Sequence, residues 1–204
     1  MFANRVEDSS FNNCEFEINL NTDITLAEIE CFGLLFGAIT DSTFTNCTFT
    51  LNDGGKKINT AQSTHSIGAF AGQISSTTLS GLDSSGKLTL NFDSIPQQDI
   101  FVGGLVGKVE NGSTLSGINQ IRSSSIELNV AGGGFTTDSS LGLNRVANIG
   151  GIVGYNAGTS PITNCHSIGN VSKGYYYVGG IAGFHNCENS LITNCSSKGD
   201  ITGR

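Results

Sequence analysis

Residues 150–172 read GGIVGYNAGTSPITNCHSIGNVS, and residues 179–202 read GGIAGFHNCENSLITNCSSKGDIT. Each opens on Gly-Gly, an apolar residue, a small apolar residue and Gly, crosses a polar linker, and reaches Ile-Thr-Asn-Cys. A statement made twice in such short order marks one unit of a stack rather than a single reactive site. Working outward, the closing glycine recurs at Gly37, Gly72, Gly107, Gly154 and Gly183, and the opening glycine at Gly33, Gly68, Gly103, Gly150 and Gly179. Between them stand Leu35, Phe70, Leu105, Ile152 and Ile181. The second half repeats as well. An apolar column runs through Phe11, Phe44, Leu79, Leu115, Ile162 and Ile192. Asn13, Asn46, Gly81, Gly117, Asn164 and Asn194 form a second column, followed directly by Cys14, Cys47, Leu82, Ile118, Cys165 and Cys195.

A unit this short cannot bury its apolar side alone, but stacked units close a continuous core. Equivalent residues then lie about 4.8 Å apart, which explains why like sits over like. Asn and Gly tolerate positive φ and suit a turn before the cysteine column. The expected fold is all-β: a right-handed parallel β-helix (β-solenoid) of about five rungs, with irregular loops between rungs and two or three short strands per unit. The repeat cores fall near 33–51, 68–92, 103–130, 150–172 and 179–202, with a partial rung at 2–19, in a single solenoid domain spanning 1–204. In this alignment Phe2-Ala3 matches Phe36-Gly37. The segments TFTLN from Thr48, KLTLNF from Lys87 and SIELNV from Ser125 match one another. If each G-x-x-x-G is a strand, one of its faces points outward. A stripe of Phe36, Ala71, Val106, Val153 and Ala182 then needs a cover. The candidates are the long segments 53–66, 93–100 and 131–147, or a partner.

Composition agrees with a stack of strands and turns. The chain has 204 residues with 28 Gly, 2 Pro and no Trp, and only 13% are charged, against about 25% in ordinary domains. A net charge of −7 with no Lys/Arg cluster argues against nucleic acid as a partner. No apolar run is long enough to insert in a membrane. The opening MFANRVEDSS carries no leader pattern, and the chain is expected to be part of a longer repeat array. The alternative is a protomer that self-associates head to tail, Ile201 towards the next Phe2.

The five cores GLLFG, GAFAG, GGLVG, GGIVG and GGIAG resemble the bacterial GLUG motif, most closely in the last two copies. The resemblance implies secreted or surface-attached proteins, adhesins among them, and supplies no catalytic residue to carry over.

The remaining residues with chemistry to offer are dispersed. Cys14, Cys31, Cys47, Cys165, Cys187 and Cys195 never reach C-x-x-C spacing, which excludes a zinc ribbon. The four cysteines of the column are expected as buried free thiols, since side chains stacked in one direction do not suit disulfide geometry. A Cys31–Cys187 bond is not excluded. His65, His166 and His185 fall at different repeat positions, and Asp41, Asp83, Asp138 and Glu188 form neither column nor cluster. No catalytic residue, metal site or cofactor is therefore expected. Thr43, Thr45, Thr48 and Thr50 alternate along one coil as ice-binding arrays do, but the sequence does not sustain the pattern. Tyr175, Tyr176 and Tyr177 form the candidate contact surface, where tyrosines either meet a protein or glycan or cover a coil edge. The expected function is a non-catalytic structural or adhesive module, extracellular or on the cell surface, contacting a host or neighbouring-cell protein or glycan. A polysaccharide-active β-helix enzyme, or its carbohydrate-binding spacer, is the main alternative. A filament subunit is a third.

Overall fold

The computed structural model describes residues 1–26, 29–60, 65–92, 99–120, 125–130, 147–174 and 177–203. Within them the chain is all-β, and every strand pairs in parallel with its equivalent one coil away. Sheet 1 stacks Ala3–Glu7, Phe36–Thr40, Ala71–Ser75, Val106–Glu110, Val153–Gly158 and Ala182–Cys187. Sheet 2 stacks Ser10–Asn12, Thr43–Thr45, Thr78–Ser80, Thr114–Ser116, Ile162–Thr163 and Ile192–Thr193. Sheet 3 stacks Glu15–Asn19, Thr48–Asn52, Asp83–Ser85, Asn119–Gln120, His166–Ser167 and Ser196–Ser197. Sheet 4 holds Ile24–Thr25, Ile58–Thr60, Lys87–Phe92, Ser125–Val130, Val171–Gly174 and Ile201–Gly203. Sheet 5 holds Cys31–Gly33, Ser66–Gly68, Ile100–Gly103, Ala147–Gly150 and Tyr177–Gly179. The chain visits sheets 5, 1, 2, 3 and 4 in turn and climbs one level, which makes a β-solenoid. A full coil therefore carries five strands, not two or three. The strands of two or three residues are too short to show an alternating pattern in sequence.

The glycine motif is a corner rather than a strand. Gly33 ends a sheet 5 strand, Leu34 and Leu35 form a bend, and Phe36 begins sheet 1. Alternation therefore does not apply across it, and the expected outward stripe does not exist. Leu35, Phe70, Leu105 and Ile152 are buried, and so are Phe36, Ala71, Val106 and Val153. Nothing needs to cover them. Of the segments expected as covers, Ile58–Thr60 and Ser66 belong to the stack itself, while 61–64, 93–98 and 131–146 lie outside the described residues. The glycines allow two backbones to touch. A Cβ on Gly103 would run into the Val106 carbonyl and stand 2.7 Å from that of Ile152. One on Gly107 would be 2.5 Å from the Ile67 nitrogen, one coil back in sheet 5.

The register corrects two alignments. Ala3 pairs with Phe36 and Arg5 with Ala38, so Asn4 stands at the glycine level and Phe2 at that of Leu35. The same offset continues through Phe11 on Phe44 and Glu15 on Thr48. TFTLN lies in sheet 3 beside Asp83–Ser85, whereas KLTLNF lies in sheet 4 between Ile58–Thr60 and SIELNV. Two walls with the same in–out pattern were read as one.

The core changes character along the stack. Phe11, Phe16, Phe36, Phe44, Phe49 and Phe70 pack ring on ring, with Phe11 stacked on Phe44 at 4.5 Å. Further on, Leu79, Leu105, Leu115, Ile152 and Ile162 fill the same space with aliphatic groups, all fully buried. Each such side chain contributes about 1.5–3 kcal/mol by leaving water. One polar seam runs through this later part. Ser167 Oγ donates to Gln120 Oε1 at 2.6 Å, and Gln120 Nε2 donates to the Gly151 carbonyl. The doubled glycine of the later copies lets successive corners touch: a Cβ at Gly104 would run into the Gly151 carbonyl and one at Gly151 into that of Gly180, with the seam's Gln120 Nε2 and Ser167 Oγ next nearest at 2.9 and 2.7 Å.

Candidate functional site

The Asn/Gly column is the turn between sheets 2 and 3. Asn13, Asn46, Asn164 and Asn194 have φ of 53°, 51°, 52° and 52°, and Gly81 and Gly117 both have 63°. A left-handed residue here costs Asn and Gly little. From Asn13 to Asn164 each backbone N–H reaches up one coil, as in Asn46 N to Ser80 O at 2.8 Å and Asn164 N to Thr193 O at 3.0 Å. Asn194 Nδ2 also donates to Asn164 Oδ1 at 2.6 Å. Sequence reasoning missed a second left-handed column, between sheets 1 and 2: Asp8, Asp41, Ser76 and Asn111, with φ of 47° to 51°. Its signal was a run of short polar residues at one level. The hydroxyl that follows each turn is put to use, Ser42 Oγ donating to Thr40 O at 2.7 Å and Thr77 Oγ1 to Ser75 O at 2.8 Å.

All six cysteines are free thiols. Cys47 and Cys165 are buried, whereas Cys14 and Cys195 are only half-buried, because each has a neighbouring coil on one side. Cys165 Sγ donates to Thr163 O at 3.2 Å, and Cys47 Sγ to Thr45 O at 3.4 Å. Cys31 Sγ instead donates to Gln73 Oε1 at 3.1 Å, and Cys187 Sγ lies 3.8 Å from Ser160 O, so the two are not bonded to each other. Burial raises Cys47, and it pushes Cys165 up to about 12 and Cys31 up to about 11, the last helped by the Glu30 carboxylate. In the native 204-residue chain Cys14 and Cys195 should label with a thiol reagent, and Cys47 and Cys165 only after denaturation. Equal labelling rates would contradict this placement. A linked effect concerns pH. An unfolded Cys165 ionises near ~8.5, so from there to about 12 the unfolded state holds fewer protons than the folded one. Stability should therefore fall as pH rises through that window and be unaffected below it. Urea midpoints on either side of the window should show a smaller fall for Cys165→Ala than for the parent.

The histidines and carboxylates remain apart. His185 Nδ1 accepts from Asn156 Nδ2 at 2.9 Å, and His166 Nδ1 lies 2.9 Å from Ser196 Oγ. Asp41 shapes a turn, Asp83 Oδ1 accepts from Asn119 Nδ2 at 3.1 Å, Glu188 is exposed, and Asp138 lies outside the described residues. Among the described residues no group of three His, Cys, Asp or Glu side chains could hold a metal ion.

The threonines divide between two walls. Thr43 and Thr45 belong to sheet 2, and Thr48 and Thr50 to sheet 3, on either side of the Asn46 turn. The four-threonine pattern is not sustained, since the level of Thr48 carries Glu15, Asp83 and Asn119 on other coils, but sheet 2 keeps a mixed Ser/Thr face over several coils. Ser10, Thr43, Thr78 and Thr114 pair in one column, and Thr45, Ser80, Ser116, Thr163 and Thr193 in the other. Uncharged side chains suit columns so closely spaced, where like charges would repel.

Of the three tyrosines, Tyr175 and Tyr176 lie outside the described residues. Tyr177 opens the last sheet 5 strand and is 47% exposed. Its ring is 5.0 Å from Phe184, which stacks on Tyr155 at 5.6 Å and 10°; Tyr155 is 4.8 Å from Phe101, and Lys108 Nζ stands 5.7 Å over that ring. This half-exposed aromatic ladder climbs the corner beside the glycines, with one wall each from sheets 5 and 1. Its inner rings spend their faces on one another, so Tyr177 offers the accessible surface.

Each of the last two coils starts in sheet 5 and finishes in sheet 4, and the family model of the GLUG motif matches residues 146–172 and 174–202. These two coils match the GLUG motif. No curated protein and no solved structure matches the chain. Each matched segment spans one coil of this chain and ends inside its sheet 4 strand, at Ser172 and Thr202. The two coils before them make the same five-strand circuit with Leu82 and Ile118 in place of cysteine and Gly81 and Gly117 in place of asparagine.

Proposed function

We propose that the chain is a non-catalytic structural and adhesive module, secreted or held at the cell surface, that presents a stiff wall to a protein or glycan of a host or neighbouring cell. The observation that carries this reading is the exposed edge of the aromatic ladder. Tyr177 stands 47% exposed on a backbone paired in parallel to the coil before it. Aromatic side chains with one apolar face and a polar tip are favoured at contact surfaces. Several other polar groups are engaged in holding coil to coil, as Asn194 with Asn164 and Gln120 with Ser167. The likeness to GLUG repeats supports the extracellular location.

Beads coated with the 204-residue chain should adhere to intact cells above albumin-coated beads, and Tyr177→Ala should reduce the bound fraction several-fold. No adhesion above albumin, or release of reducing ends from pectin or uronate polymers, would overturn the proposal.

A further inference from the structure

A cleft of about 420 Å³ lies on the outside of sheet 4, away from the aromatic ladder. Its floor is the outward edge of Lys87–Phe92, where half-buried Lys87 and Asn91 flank Thr89, itself only 7% exposed, and Leu88, Leu90 and Phe92 are buried. Glu127, level with Thr89 on the next coil, continues the floor, and its Oε2 takes a hydrogen bond from Lys87 Nζ at 2.7 Å. Asn91 Nδ2 donates to Asn59 Oδ1 at 3.1 Å on the coil below. The side wall is the turn at 53–57, which brings Asp53 and Lys57. That wall is fixed at both ends. Lys56 N–H donates to Asp53 O at 2.8 Å, and Lys57 N–H to Asp23 Oδ1 at 3.0 Å.

We infer that this cleft binds an uncharged oligosaccharide, lying across neighbouring coils. The inference rests on the contact-module reading and names a ligand class for it. The lining has no apolar side chain, which removes lipids and apolar peptides. Two carboxylates face two ammonium groups, so the cleft has no net charge with which to draw a polyanion. What remains is a set of strong acceptors in Asp53 and Glu127, strong donors in Lys57 and Lys87, and an amide and a hydroxyl that do both. A sugar hydroxyl also donates and accepts at once, and vicinal hydroxyls fit a carboxylate beside an ammonium. The volume falls in the range of small-molecule sites.

Isothermal titration calorimetry of the 204-residue chain with cellohexaose, maltohexaose, mannohexaose and a galacturonate hexamer tests this. Saturable binding of at least one neutral hexamer is expected, at least tenfold tighter than the galacturonate hexamer. Asp53→Asn and Lys57→Met, both in the wall and outside the ladders, should each weaken it about tenfold, while Lys198→Met, in the last coil and outside the cleft lining, leaves it unchanged. Thermal melting of each variant verifies that the stack is intact. The inference is overturned if no neutral hexamer binds, if the galacturonate hexamer binds best, or if both wall variants bind like the parent. Bead adhesion retained in any of those cases leaves the contact-module reading standing; adhesion lost as well removes both.

Discussion

Leu115→Asp should abolish the cooperative melting of the stack and leave the chain largely insoluble. Leu115 has no exposed surface and sits between Leu79 and Ile162 in the sheet 2 column. The substitution forfeits about 1.5–3 kcal/mol of apolar burial. It also places a carboxylate where its neighbours are hydrocarbon, at a further cost of several kcal/mol. The sum rivals the 5–15 kcal/mol that typically holds a domain together. Each coil is stabilised by its neighbours, so a break in the middle withdraws support from both sides. Circular dichroism against temperature is the measurement. A melting temperature equal to the parent's would mean that the column does not face inward.

Gly103→Val should be nearly as damaging, although it adds apolar volume to an apolar region. The new Cβ would press on the Val106 carbonyl and approach that of Ile152 to 2.7 Å. Both obstacles are backbone, so no side chain can swing aside, and either the corner opens or sheets 5 and 1 separate. A loss of at least ~3 kcal/mol is expected, in the range reserved for strain and overpacking. Gly55→Ala is the informative comparison. A Cβ there meets nothing within 4 Å, and only the φ of 72° opposes it. Its cost should be about 1–2 kcal/mol. Urea denaturation of the two variants should rank them in that order. A Gly103 variant as stable as the Gly55 one would show that the corner is looser than its glycines indicate.

The stacked columns were legible because each coil imposes the same demand at the same level: an apolar group at Leu79 or Leu115, a left-handed residue at Asn46 or Gly81. The corner was misread because G-x-x-x-G has the length of a strand. Only the contact between Gly107 and the Ile67 backbone one coil back reveals why both ends lack a side chain. KLTLNF was set on TFTLN for a related reason. Both alternate, and alternation tells in from out without telling one wall from the next. The mixed Ser/Thr face of sheet 2 does not stand out in the sequence, because Thr43 and Thr45 run on into Thr48 and Thr50, which belong to another wall. The cleft on sheet 4 left no sequence signal, since Asp53 and Glu127 come together only when the coils close. The half-exposure of Cys14 and Cys195 was equally invisible, because a column position does not say how many neighbours it has.

The five parallel sheets also set how the molecule responds to force. All their backbone hydrogen bonds between coils run along one direction, the direction of climb. A load that tries to lift one coil from the next is divided among five ladders and must break them together. A load that tugs a single strand sideways meets one ladder at a time. The same stack is therefore a stiff tether when pulled along its length and a zipper when peeled. The direction of the load, more than its size, decides which of the two responses appears.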